Sequence, residues 1–475
     1  MARAIGWPWL LWPGRHWRPY PAHHTAPLQI AETDRRLSAT ATATASAMAS
    51  DTHLATLPNG LRVLAIRMPG RQTVNLSVFI RTGSQHESRR QNGISHVVEH
   101  MAFKGTRERS CQRINLDAER LGAEVNAHTD KDHTAFHIEG LARDLPAFVP
   151  MLADIVQNST FPQAELERER QVILHEFTEF EEDPATMAFK LFDRACYGEH
   201  PVAWPVIGNR ANVARFTRDE LLGYVASQYR AGNVIVAVAG DVDPERFVAD
   251  VEAAFGAMPG GESPAVAEPA WCGGVKTRRL AGCSQTQVVL GFGAPSLHGD
   301  AHPAVLAAAL FCEGMSSPLL DEIRERRGLA YYAACSADIA PLCGQFVIEA
   351  ATAPEHLNEF FVEVMRLLRQ QAEAPDAVAL ERARNQLTVR ALRALEQPVR
   401  RLESAVQDVF TFGHPRAAAQ WIERLQAVSA AEVRDTFARM LASPAAVALA
   451  GSVPARAAER VQEQMAPTAS TAPSA

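Results

Sequence analysis

The chain has 475 residues, 47% of them hydrophobic and 21% charged, too long for one ordinary core and matched to two to four domains at about 100 to 200 residues each. Bulk disorder is excluded by the apolar fraction, a collagen-like repeat by only 28 Gly and 29 Pro, and a disulfide scaffold by seven Cys in this length. A net charge of −7 argues against sequence-independent nucleic-acid binding, and no run of ~18 apolar residues offers a membrane span.

Residues 1–50 stand apart. They carry five Arg against Glu32 and Asp34, four Trp (Trp7, Trp9, Trp12, Trp17), and an Ala- and Thr-rich run from Ala39 to Ser50. Such a segment reads as a transit peptide, an interrupted secretory signal, or sequence upstream of a start at Met48. The odd number of cysteines, with no C-x-x-C pair, favours reduced thiols and a cytoplasmic setting. A genuine targeting segment would instead place the protein in a periplasm or mitochondrial matrix.

The fold is expected to begin near Asp51. Leu57-Pro58-Asn59-Gly60 sets Asn-Gly turn chemistry between residues 54–57 and 61–66, predicting a hairpin. Residues 74–80 alternate as a half-buried strand, and Asn92-Gly93 precedes a run with helical apolar spacing. Helical patterns follow at 145–157, 162–182, 218–228 and 244–255, with a strong strand at 233–239. The class is therefore α+β.

The second half repeats the first. Residues 74–83 are echoed by 286–293 and 137–156 by 345–367; Leu166-Glu167-Arg168 returns as Leu380-Glu381-Arg382. The closing units match best: Gly198-Glu199-His200-Pro201 with Gly413-His414-Pro415, and Val238-Ala239-Gly240-Asp241-Val242 with Leu449-Ala450-Gly451-Ser452-Val453. Two homologous domains are expected at 51–257 and 272–456, with an aperiodic linker at 258–271 and a disordered tail at 457–475.

Reactive groups concentrate in the first copy. His96-Val97-Val98-Glu99-His100 puts two imidazoles at i and i+4, on one helix face, where they can share a metal ion with a carboxylate beside them. A tetrahedral zinc then lacks one protein ligand and keeps one open position. Glu169 and Glu176, seven apart in the charged stretch 167–176, share a helix face, and either could approach the metal. Taken alone, that stretch reads as a solvated face laced with ion pairs.

These residues resemble the pitrilysin or insulinase type of zinc metallopeptidase, in particular its mitochondrial processing peptidase-like branch. The similarity covers nearly all of residues 52–455. It includes the inverted motif from His96 to His100 continued by Met101-Ala102-Phe103-Lys104-Gly105-Thr106, and Glu176 placed 76 residues after His100. Ala123-Glu124-Val125-Asn126-Ala127, His200-Pro201-Val202-Ala203-Trp204-Pro205 and the run from Arg324 to Tyr331 carry it further. The resemblance implies two α/β sandwich domains, each a mixed, largely antiparallel sheet flanked by helices. It implies one Zn2+ per chain held by His96, His100 and Glu176, Glu99 as general base, and Glu169 supporting the site. Arg324 and Tyr331 would grip peptide or the tetrahedral intermediate, and Phe103, Asn126, Ala127 and Thr129 would contact substrate along an edge strand. The implied activity is endoproteolysis of short or unfolded peptides.

Aligning the copies at Gly105 and Gly314 sets Val305, Ala308 and Ala309 where His96, Glu99 and His100 stand, and aligning Glu167 with Glu381 sets Arg390 at Glu176. Copy two should therefore hold no metal. Because the zinc motif and the gripping pair share one sequence, the resemblance points to a homodimer, with a heterodimer with a non-catalytic paralogue as the alternative. The competing function is that of a structural subunit in a related peptidase or respiratory assembly.

Overall fold

The computed structural model describes residues 51–262 and 265–465; the expectations for residues 1–50 and 466–475 lie outside the described residues. The first sheet is built from β1 (Thr52–Thr56), β2 (Arg62–Arg67), β3 (Thr73–Ile80), β4 (Glu124–Thr129), β5 (Thr134–Leu141) and β6 (Val234–Gly240). Its order is β1-β2-β6-β3-β5-β4, parallel only between β2 and β6. The predicted hairpin forms β1 and β2: Asn59 Oδ1 accepts from Leu61 N, and Gly60 takes φ +93°, the left-handed conformation that glycine adopts without a Cβ penalty.

One face of this sheet is covered by helices α1 (Ile94–Ala102), α2 (Cys111–Arg120), α3 (Leu145–Asn158), α4 (Gln163–Glu182), α5 (Pro184–Tyr197), α6 (Arg210–Arg215), α7 (Arg218–Gln228) and α8 (Pro244–Phe255), with the exception of α5. Leu76, Val78, Phe136, Ile138 and Val236 pack there against Ile94, Val97 and Met101 of α1, Phe148 and Leu152 of α3, and Phe247 and Val251 of α8.

The second sheet contains β7 (Gly274–Arg279), β8 (Thr286–Ala294), β9 (Ala330–Ile339), β10 (Gly344–Thr352) and β11 (Ala446–Gly451), in the order β7-β11-β8-β10-β9. That is the order of β2-β6-β3-β5-β4, with the same single parallel pair, here β7 and β11. Its helices are α9 (His302–Cys312), α10 (Pro318–Leu320), α11 (Leu357–Glu373), α12 (Ala377–Leu395), α13 (Pro398–Phe412), α14 (Ala418–Ala427), α15 (Ala430–Ala442) and α16 (Ala457–Gln464). Internal duplication is thus visible in topology as well as in sequence. No helix among the described residues is long and apolar enough to cross a membrane.

The copies also exchange a helix. Met187, Phe192 and Cys196 of α5 bury themselves against Val289, Val347 and Ala448 of the second sheet. In return Leu402, Val406 and Val409 of α13 cover Leu64, Phe79, Ala135 and Ile235 of the first. Pro184 and Pro398 begin these helices and stand at the same repeat offset as Glu167 and Glu381. Boundaries drawn at 51–257 and 272–456 therefore follow the sequence repeat, whereas each packing unit borrows a helix from the other. The exchange also explains Gly291, since a Cβ there would sit 2.6 Å from the Phe192 ring; at Gly293 a Cβ would sit 3.3 Å from Trp271 of the connecting segment.

The tail is corrected in part. Residues 457–464 form α16, because Ala457 and Val461 recur at helical spacing and bury themselves in the second core. The segment 258–271 has no helix or strand among its described residues, yet Met258 packs in the first core and Trp271 lies edge-on to Tyr197.

Candidate metal centre

Helix α1 carries the two histidines because Ile94, Val97, Val98, Met101 and Ala102 pull its other face into the core. Its N-terminus is fixed from outside. The buried carboxylate of Glu87 accepts from Gly93 N at 2.8 Å, Ser95 N at 2.9 Å and Asn92 Nδ2 at 3.0 Å, occupying the orphan donors of the first turn. The Ser95 hydroxyl then meets Tyr224 Oη, which meets Thr82 Oγ1, each at 2.8 Å. The loop after His200–Trp204 closes on the same point: Pro205 O accepts from Asn92 Nδ2, and a Cβ on Gly208 would fall 2.2 Å from Gly93 Cα.

Helix α4 supplies the carboxylates. Leu166, Glu169, Ile173 and Phe177 form its buried stripe, while Glu165, Glu167 and Arg168 make ion pairs facing outward. The charged helix thus divides, with one face turned toward the histidines and the other carrying ion pairs toward solvent. Glu176 Oε2 stands 3.7 Å from His100 Nε2 and 3.9 Å from His96 Nε2. The donor atoms of His96, His100 and Glu176 lie within 4.8 Å of one another, the only such trio among the described residues. These gaps are too long for hydrogen bonds and close to the ~3.3 Å that separates two ligands on a tetrahedral ion with bonds of about 2.0–2.1 Å. Two imidazoles and one carboxylate at these separations fit a borderline divalent ion such as zinc.

The surroundings suit that fit. Burial, reinforced by His100, pushes His96 down to about 3, so its ring is neutral and able to ligate; its Nδ1 is buried without a hydrogen-bond partner among the described groups. His100 Nδ1 meets Glu169 Oε2 at 3.1 Å, and Lys104 Nζ holds Glu169 Oε1 at 2.7 Å. Burial alone would raise Glu169, but the His100 hydrogen bond and Lys104 outweigh it and hold the carboxyl below its ordinary value. For His100 burial works downward, and Glu169 followed by Glu176 reverses it. Glu176 and Glu99 are both raised by burial, and at Glu99 the hydrogen bond that Thr129 Oγ1 donates to Oε2 at 2.7 Å opposes the rise.

The remaining expected residues divide. Thr129 and Ala127 lie on the face of β4 toward α1, and β4 is a sheet edge, paired only to β5. Asn126 points to the opposite face, and its Oδ1 accepts from Ala127 N at 2.9 Å. Phe103 lies 6.0 Å from the Phe136 ring and packs on the core. Arg324 sits in a π-helical turn with its guanidinium 5.3 Å from the Tyr331 ring, and Tyr331 is 81% exposed. Their recorded partners are each other, Glu325 and Met315, none of them in the histidine cluster. Sequence reasoning gave no role to Glu87 or Lys104 and assigned Thr129 to substrate rather than to Glu99. In the second copy Ala308 and Ala309 are buried and Arg390 pairs with Glu313, so the equivalent position holds no ligand set.

The duplicated fold and a cluster of two imidazoles and a carboxylate suited to a divalent ion define the class of site, and comparison with known proteins gives the family. Residues 62–210 match the insulinase family of peptidases (family M16), and residues 215–387 match the family's inactive domain. A protein named an uncharacterized zinc protease in Rickettsia felis is 30% identical over 85% of this chain and 98% of its own length. Another in Mycobacterium tuberculosis is 32% identical over 83% and 92%, and one in Bacillus subtilis 28% over 83% and 97%. A protease from Helicobacter pylori has the same fold, with a TM-score of 0.76 at 20% identity, covering 84% of this chain and 99% of that one. The chain belongs to peptidase family M16.

Proposed function

We propose that the protein is a zinc-dependent metalloendopeptidase acting on short or unfolded peptides. The observation that carries this reading is the convergence of His96, His100 and Glu176 beside Glu99, with the paired Glu169 behind. His96, His100 and Glu176 would hold one zinc per chain, which when bound supplies Lewis acidity toward the scissile carbonyl and lowers the pKa of water. Glu99 Oε1 takes the proton of the attacking water and returns it to the leaving amine, while the Thr129 hydroxyl holds Oε2 in place. Burial raises Glu99 toward the range where a carboxylate serves as an effective base. The free edge of β4 would receive substrate by main-chain pairing, a contact that first displaces the Asn126 side chain from Ala127 N. Arg324 and Tyr331, already stacked on each other, would grip the peptide from the second domain or from the second chain of a homodimer.

The test compares wild type with Glu99→Gln for metal content and for cleavage of an unstructured peptide library. Equal zinc near one per chain, with chelator-sensitive cleavage in the wild type only, is the expected result. Zinc in both with no cleavage in either would point to a missing partner chain or a non-peptide substrate, and absence of zinc would overturn the reading in favour of the structural subunit.

A further inference from the structure

The hairpin that carries Thr129 has a second chemistry on its other side. Side chains alternate along β4 and β5, so Thr129 faces α1 while His128 and His137 face away, toward the exchanged helix α13. His133 closes the turn beside them. His128 Nε2 and His133 Nε2 are 3.3 Å apart, and His137 has its ring centre 5.8 Å from that of His128. His133 Nδ1 meets Asp132 Oδ1 at 2.7 Å, the carboxylate–imidazole contact that fixes a ligating histidine with Nε2 presented outward. None of this belongs to the His96–His100–Glu176 cluster.

We propose that His128 and His133 form a second divalent-metal site, of the class that takes zinc and other imidazole-seeking first-row ions, on the sheet face opposite the primary cluster. The separation of the two nitrogens matches the ~3.3 Å edge of a tetrahedral ion with bonds of about 2.0–2.1 Å. Asp132 and Asp130 flank His133 from the turn and Glu403 faces it from α13; the cations around them are Lys131, paired with Asp193, Arg400 beside Glu403, and Arg81 with His86 on the other side, and at His133 itself the acids prevail. Burial would lower His133, but Asp132, then Asp130 and Glu403, outweigh it and hold the ring protonated up to about 9. The acids that retain that proton are equally placed to retain a metal ion in its stead. His128 is pushed down to about 3 by burial and by His133, so its ring is neutral and its Nε2 faces the Nε2–H of His133 at 3.3 Å, the proton an ion would replace. Binding forms two metal–Nε2 bonds and releases the single Nε2 proton of His133 to solvent. Among the described residues no third His, Cys, Asp or Glu donor joins the pair within 4.8 Å, so water would complete the shell and the site is weaker than the primary one. Side-chain exposures of 20% for His133 and 32% for Asp132 leave a path for the ion.

The experiment titrates zinc into the full metal-free chain and counts bound ions by equilibrium dialysis, for wild type, His128→Asn, His133→Asn and the His96→Ala/His100→Ala double variant. The wild type should bind one ion more at high free zinc than either hairpin variant, with one proton released for that ion. The double variant should keep the weak ion and lose the tight one, so the two sites stand or fall separately. Matching melting curves in chelator show that the variants remain folded. A wild type that takes up no second ion, or one retained in both hairpin variants, would mean an N–H···N hydrogen bond only and overturn the proposal.

Discussion

At the scale of single residues, what the sequence could reveal depended on distance along the chain. His96, Glu99 and His100 share one helical turn, so spacing alone placed them together; Thr129 and Glu99 are 30 residues apart, and only folding joins the hydroxyl to the carboxylate. Glu169 had a legible place in the stripe with Leu166 and Ile173, but its second partner, Lys104, comes from beyond the end of α1. That pairing predicts a measurable role. Glu169→Gln removes the charge that orients His100, and loss of such an outer partner costs about 10- to 100-fold in metal affinity; competition with a chromophoric chelator would read it. A second prediction concerns pH. His133 is raised from ~6.5 in the unfolded chain to about 9 in the folded one. Its contribution to stability is therefore complete below ~6.5 and lost as pH rises through about 9. Urea midpoints of wild type and His133→Asn, taken in chelator, should differ most in mild acid and converge in alkali; a constant difference would refute the assignment.

At the scale of elements, the centre depends on how α1 is seated. Pattern alone located this helix and α3, α4, α7 and α8 to within a few residues, because their apolar stripes run at helical period. It did not show that a carboxylate six residues upstream of Gly93 caps the helix, since Glu87 lies in an irregular segment with no periodic signal. Glu87→Ala would leave the buried N–H groups of Gly93 and Ser95 unpaired, a loss of about 1–3 kcal/mol, seen as a lower urea midpoint together with weaker zinc retention. Glu199→Ala, an exposed carboxylate paired with Arg89 and Arg194, should shift stability by no more than ~0.5 kcal/mol. Gly208→Ala tests the same seating from the loop side. Its Cβ would overlap Gly93 Cα, and its φ of +84° is unfavourable for alanine, so α1 must move and zinc retention should fall with stability.

At the scale of the molecule, duplication was legible and its mode of joining was not. Repeat matching paired three strands of the first sheet with three of the second and the segments on either side of α5 and α13, but an amphipathic helix records only that one face is buried, never against which sheet. Sequence-based boundaries therefore cut through two interfaces. The first sheet exposes Leu64, Phe79 and Ile235 once α13 is removed, and α5 loses the second-sheet surface that covers Phe192. Truncation of one large buried aromatic costs about 3–5 kcal/mol, so exposing a whole cluster exceeds the stability of an ordinary domain, about 5–15 kcal/mol. A chain cut within the linker should yield halves that fail to fold alone and recover structure only together. Co-expression of residues 51–262 and 265–475 with a tag on one half provides the measurement: co-purification with zinc retained is expected, whereas a first half that folds and holds zinc by itself would show that the exchanged helices are dispensable. The prediction reaches the site because the β4–β5 turn is tied to the exchange, through Lys131 Nζ and Asp193 Oδ2 of α5 at 2.7 Å and through Glu403 of α13 facing His133. Strand β4, the Thr129–Glu99 bond and both exchanged helices thus meet at one hairpin, so a shift of either exchanged helix acts on the segment that holds Thr129 against Glu99.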